Sequence, residues 1–228
     1  VRIIEDQGPE TGSVVLNDAG VVTDVDTLFP LQAALGYDVM QSLFIGNRNV
    51  LVEGVSDFIY LTMISQHLGT LGRTTLLDDC RLLPAGGATN IPTFIALLGT
   101  QLDIVVLLDG NSPRQKIENT ITQGRLDGAR ILDIANYCTV KDADIEDLFL
   151  AGEYVTLYNG TYGASLKVGD LKGNDRIAKR IEREAGTFNH GEVSAYFLKH
   201  LPKCLKDLSS GTVDRFENVI AAINNALP

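Results

Sequence analysis

Glu53 and Asp109 each close a continuous apolar run, and each is followed by glycine: Val50-Leu51-Val52-Glu53-Gly54 and Ile104-Val105-Val106-Leu107-Leu108-Asp109-Gly110. A carboxylate ending a buried strand must be solvated, paired or bound to a metal, because a bare charge in an apolar setting is costly. Further oxygen ligands stand near both in sequence. Asp57 follows Glu53 by four residues, Asn111 completes an Asp-Gly-Asn with Asp109, and Glu146-Asp147 sits in an acidic turn farther on. Hard divalent cations such as Mg²⁺ take one or two carboxylates together with waters and substrate phosphates. Two such ions, about 3.5–4 Å apart, can clamp the attacking and leaving oxygens of a phosphodiester. Acidic groups converging from three loops on one sheet edge are what that chemistry requires.

Each group also has an ordinary role open to it. Asp57 in a first helical turn complements the helix dipole, Asp-Gly-Asn is a common polar turn, and Glu146-Asp147 reads as a solvated helix start. Their joint appearance, in order and in register with a strand–helix repeat, favours the metal site.

That repeat begins at residue 49. A strand over 50–53 leads into a helix from Asp57 to Leu68, with Ser56 as N-cap and Gly69 as its stop. A second strand near Arg81–Pro84 ends in Ala85-Gly86-Gly87. Its helix has Thr89 or Asn90 as cap, Pro92 in the first turn and Gly99 at the end. The third strand, 103–108, delivers Asp109, and its helix is framed by Ser112, Pro113 and Gly124. A fourth strand falls near Ala129–Ile134. Apolar runs of this kind suit strands covered on both faces, and four alternations imply a small parallel sheet flanked by helices. In such sheets, ligands bind beyond the carboxyl ends of the strands.

The remainder is less regular. Residues 1–27 are polar, with β-prone pieces at Val14-Val15-Leu16 and Val21-Val22, and read as a linker or the tail of a preceding domain. Residues 28–48 carry an amphipathic helical pattern through Leu31, Ala34, Leu35, Val39 and Leu43. The α/β unit is expected over 28–150. A mainly helical C-terminal region is expected over 151–228, with helical patterns at 174–185, 191–200 and 211–226. The Gly- and Tyr-rich stretch 150–170 yields no assignment.

At 228 residues the chain holds one large domain, or one with an appendage. It contains no apolar run of about 20 residues, so no transmembrane helix is expected. Its start, Val1-Arg2-Ile3-Ile4-Glu5, has no signal-peptide pattern and reads as cut from a longer chain. Cys80, Cys138 and Cys204 lack metal-site spacing and read as reduced thiols of a cytoplasmic protein. A net charge of −10 argues against tight phosphate-backbone binding by the bare chain. It fits carboxylates that collect divalent cations, which invert the local field. No phosphate-binding loop ending in Gly-Lys-Ser/Thr occurs. Of His67, His190 and His200, only His190, in Phe188-Asn189-His190-Gly191, reads as a site residue.

Leu51-Val52-Glu53-Gly54-Val55-Ser56-Asp57 and Asp109-Gly110-Asn111, set on four strand–helix units, resemble a Toprim domain, the metal-dependent module of topoisomerases, bacterial primases and certain nucleases. A longer set resembles the C-terminal half of OLD-family proteins, which join an N-terminal ABC-type ATPase to a Toprim nuclease. It comprises Phe29-Pro30-Leu31-Gln32-Ala33-Ala34-Leu35-Gly36-Tyr37-Asp38, Gln41-Ser42-Leu43-Phe44-Ile45-Gly46, Pro84-Ala85-Gly86-Gly87 and Ile145-Glu146-Asp147-Leu148-Phe149. The resemblance spans about residues 28–200. It implies a cytoplasmic endonuclease that hydrolyses DNA with Mg²⁺ or Mn²⁺, and an ATPase domain that would supply basic DNA contacts, as would a homodimer clamp. Glu53 and Asp57 would be ligands from the first motif, Asp109 the leading acid of the second, and Glu146 with Asp147 the rest of a second metal site. Asn111 departs from the family pattern, where many members have Asp; it can ligate through its carbonyl but brings no charge. The family's late basic residue has two candidates, His190 and Lys199. The alternatives are nucleotidyl transfer on the same scaffold, which lacks a Lys/Arg cluster near the acidic motifs, and a non-catalytic interaction module.

Overall fold

The structure is a computed structural model that describes residues 3–6, 13–16, 48–98, 103–110 and 130–228. The chain divides into two units, Val1–Ile45 and Gly46–Pro228. In the first, β1 (Ile3–Asp6) pairs antiparallel with β2 (Ser13–Leu16), Ile3 opposite Leu16 and Asp6 opposite Ser13. The β-prone Val14-Val15-Leu16 therefore lies in a paired strand, inside the stretch read as linker. Val21-Val22, the helical pattern up to residue 47, the Phe29–Gly46 motifs, Asn111 and the helix expected after the third strand lie outside the described residues.

The second unit is an α/β fold. Its strands are β3 (Arg48–Val52), β4 (Cys80–Pro84), β5 (Asp103–Leu108) and β6 (Ile131–Asp133), all parallel in the order β4-β3-β5-β6. Val50 lies between Leu82 on one side and Val105 on the other. Successive side chains of a strand point to opposite faces. Val50, Val52, Val105 and Leu107 belong to the main apolar core. Leu51, Ile104 and Val106 face the other way and are equally inaccessible. Both faces are covered, which is why these strands read as unbroken apolar runs rather than alternating ones.

Helix α1 (Val55–Thr70) follows β3, and α2 (Ile91–Leu98) follows β4 after a short turn of 3₁₀ helix. Beyond β6 the chain is helical: α3 (Ala151–Tyr162), α4 (Ile177–Ala185), α5 (His190–Lys199), α6 (Leu201–Lys206) and α7 (Ser210–Ala226). These helices share one core with the sheet. Tyr60 of α1, Phe149, Phe197 of α5 and Phe216 of α7 pack edge to face, with ring centroids 4.9–6.1 Å apart, within the range where such pairs add to plain burial.

Two local expectations are corrected. The cap of α1 is Gly54, whose amide donates to Asp57 Oδ2 at 2.8 Å; the Ser56 hydroxyl instead reaches Ser194 of α5. The helix also runs past Gly69, and the chain turns back at Leu71–Gly72, where Gly72 takes a φ of +67°. The described residues contain no helix long and apolar enough to cross a membrane. Cys80, Cys138 and Cys204 are free thiols.

Candidate metal centre

In the order β4-β3-β5-β6 the chain leaves β3 toward one side of the sheet and β5 toward the other. Loops diverging at such a switch point leave a crevice beyond the strand ends. Glu53 and Asp109 occupy that point. The Asp109 amide donates to Glu53 Oε1 at 3.0 Å, so the side chain closing β3 fixes the backbone at the end of β5. The Glu53 carbonyl accepts from the Gly87 amide at 2.8 Å. Gly86 and Gly87, with φ of +73° and +122°, let the loop after β4 fold over the same edge.

A second loop enters through Gly110. Its amide donates to the Ala143 carbonyl at 2.9 Å, and a Cβ there would stand 2.7 Å from Asp142 Cα. Only glycine permits that approach, which brings the acidic segment Asp144–Phe149 against the strand ends. The segment folds as a single 3₁₀ turn, Ile145–Leu148, with Phe149 anchored in the aromatic cluster. Asp147 holds it from behind: Oδ2 accepts from the Asp144 amide at 3.0 Å and Oδ1 from the Ile177 amide at 2.8 Å. Asp147 thereby ties the acidic turn to the start of α4 and sets the neighbouring Arg176 beside Asp144, with a guanidinium nitrogen 3.0 Å from Asp144 Oδ2. His190, first residue of α5, places Nδ1 3.1 Å from Glu146 Oε1 and stacks its ring on Phe188.

These loops frame a cavity of about 330 Å³ lined by Glu53, Asp57, Asp109, Asp144, Glu146, Arg176 and His190. Five carboxylates thus meet one guanidinium and one imidazole. The electrostatics follow from that imbalance. Burial, then the Glu146 and Glu53 charges, push the Asp57 carboxyl far above the usual range. Burial, then Asp57, Glu53, Glu146 and Asp144, do the same to Asp109. Burial and Glu146 raise Asp144 to about 7 despite the pull of Arg176. The hydrogen bond to Glu146 raises His190 against the opposing effect of burial.

The donor set fits a hard divalent cation. Asp144, Glu146 and His190 can each offer one ligand atom within 4.8 Å of the others. Asp144 Oδ1 is buried with no hydrogen-bond partner among the described residues. Carboxylates with a single imidazole suit Mg²⁺ or Mn²⁺ better than a soft metal.

Of the residues singled out in the sequence, the fold brings Glu53, Asp57, Asp109, Glu146 and His190 to this one cavity. Asp147 is not brought to it, since both its oxygens are engaged by backbone amides. Lys199 stands exposed at the opposite end of α5 from His190. Asn111 lies outside the described residues. Asp144 and Arg176 were missed. Asp144 carried a usable signal, its place two residues before Glu146, whereas nothing in the local sequence marks Arg176. No family model, curated protein or solved structure matches this chain.

Proposed function

We propose that this chain is a divalent-cation-dependent phosphodiesterase that cuts DNA, a Toprim-type nuclease module of the OLD family using Mg²⁺ or Mn²⁺. The observation that carries the reading is the convergence of Glu53, Asp57, Asp109, Asp144 and Glu146 on one crevice at the strand switch point. So many partly desolvated carboxylates repel one another unless cations are supplied. Glu53, Asp57 and Asp109 would hold a cation at the strand ends, and Asp144 with Glu146 would hold one at the acidic turn. A bound Mg²⁺ or Mn²⁺ supplies Lewis acidity toward a phosphoryl oxygen and toward water.

The chain's own groups do the rest. Arg176, on the cavity wall, presents a planar donor fork suited to a phosphate oxygen. Glu146 orients His190 through Nδ1, which leaves the imidazole on the cavity wall as the group able to exchange a proton with a leaving oxygen. The net charge of −10 leaves DNA affinity to be supplemented by an ABC-type ATPase domain or a second copy of the chain, in the cytoplasm. Incubating supercoiled plasmid with the chain in Mg²⁺, Mn²⁺ or EDTA tests the reading. Nicking is expected with either cation and is lost in EDTA and in Asp109→Ala; absence of nicking in every divalent cation contradicts it.

A further inference from the structure

A second hollow, about 270 Å³, adjoins the carboxylate cavity on the far side of Arg176, which lines both. Its walls are Lys141, Asp142, Asn174, Asp175 and Lys179, with Val140 beneath. With Arg176 its lining carries three cations against two carboxylates, where the cavity has five carboxylates against one guanidinium and one imidazole. Lys141 and Lys179 are exposed, and neither makes a hydrogen bond or ion pair among the described residues. Of the two acids present, Asp175 is already engaged by Arg183. Asp142, in the wall of the hollow, belongs to the segment that packs on Gly110, beside Asp109. The two hollows are therefore neighbours along one wall, one acidic and one carrying two lysines outside any direct ion pair and an amide donor.

We infer that the Lys141–Lys179 hollow is a phosphate subsite, seating the phosphate next to the one that reacts in the carboxylate cavity. This rests on the phosphodiesterase reading and specifies its substrate as a strand with at least two consecutive phosphates. Neither ammonium group is held in a direct ion pair, so a phosphate can draw both without breaking one, although Lys179 already acts on Asp175 at a distance. Arg176, shared between the hollows, sets the spacing. A lone phosphate monoester fills only one of them.

Fluorescence anisotropy of a 5′-labelled single-stranded oligonucleotide, titrated with the chain in Ca²⁺ at several salt concentrations, reads the subsite directly. Lys141→Ala and Lys179→Ala should each weaken binding about 5–10-fold at low salt and make the salt dependence shallower by about one counterion. Lys179→Arg should restore the loss, and Lys206→Ala, a lysine on α6 outside both hollows, should bind as the parent does. Inorganic phosphate should compete only at concentrations far above those of the oligonucleotide. Loss of affinity equal in Lys206→Ala and Lys179→Ala would show general surface charge and overturn the subsite, as would variants that bind like the parent or a parent with no measurable binding. Plasmid nicking judges the phosphodiesterase reading separately: absence of nicking with the anisotropy pattern intact would overturn that reading and leave a phosphate-binding surface.

Discussion

The Asp109 amide donates to Glu53 Oε1 across 3.0 Å, so the ends of two adjacent parallel strands are fastened by one of the carboxylates they deliver. Glu53 has both a structural and an electrostatic role, and the two separate on substitution. Glu53→Gln keeps an oxygen acceptor in place and should cost less than about 1 kcal/mol in urea unfolding. Glu53→Ala leaves the Asp109 amide without its partner and should cost about 1–3 kcal/mol. Both should weaken Mn²⁺ binding at least tenfold. Equal stability of the two variants would show that the hydrogen bond contributes nothing.

The raised carboxyls should make the metal-free protein sensitive to alkali. Asp57, Asp109 and Asp144 ionise near pH 4 in the unfolded chain, yet folding raises all three, Asp144 to about 7. Between these limits the native state binds more protons than the unfolded state, so stability falls as pH rises from about 4 through 7. Thermal melts in EDTA should show a lower Tm at pH 8 than at pH 5.5. Mn²⁺ should restore it at pH 8 by binding only the folded form. Asp109→Asn removes the cost of protonating this carboxyl on folding and should raise the metal-free Tm at pH 8 by about 3–6 °C, while abolishing the rescue by Mn²⁺. A metal-free Tm that rises with pH over this window would refute the charge frustration.

Burial raises the Asp147 carboxyl too, against the pull of its two backbone amides, but its substitution is expected to act in the opposite direction. Its carboxylate serves two backbone amides and holds Arg176 and Asp144 in position. Asp147→Ala should destabilise the fold by about 2 kcal/mol or more, since two amides lose their acceptor. Asp147→Asn, which keeps one acceptor oxygen, should recover part of that. The informative comparison is with Asp109→Asn: one acid stabilises the metal-free protein and the other destabilises it, though they sit in adjacent loops.

What the sequence made legible follows from how local each signal was. Glu53 and Asp109 stand out because an unbroken apolar run ends on a charge, and the sheet covers both faces of those runs. The strands near 81–84 and 103–108 were found for the same reason. Asp57 and Ser56 were harder to separate, because either can cap a helix; the fold uses Asp57 from the N3 position behind Gly54. The 150–170 stretch gave no helical signal because Gly152, Gly160 and five residues of Thr and Tyr type (Tyr154, Thr156, Tyr158, Thr161 and Tyr162) dilute it, yet 151–162 is helical. Gly160 is there because the Tyr196 ring lies against it, a contact made by a residue 36 positions away. Asp144 and Arg176 were illegible as a pair for the same reason. Their ion pair is made only when Asp147 bonds the start of α4.

The cavity at the ends of β3 and β5 should bind divalent cations through its carboxylates. Isothermal titration of the metal-free chain with Mn²⁺ at pH 7.5, beside Asp109→Ala and Glu146→Gln, measures this with no dependence on a substrate. Saturable binding that weakens at least tenfold in each variant, with protons released on binding, is the predicted result. Absence of saturable binding in the parent chain, or equal binding by all three proteins, would contradict it.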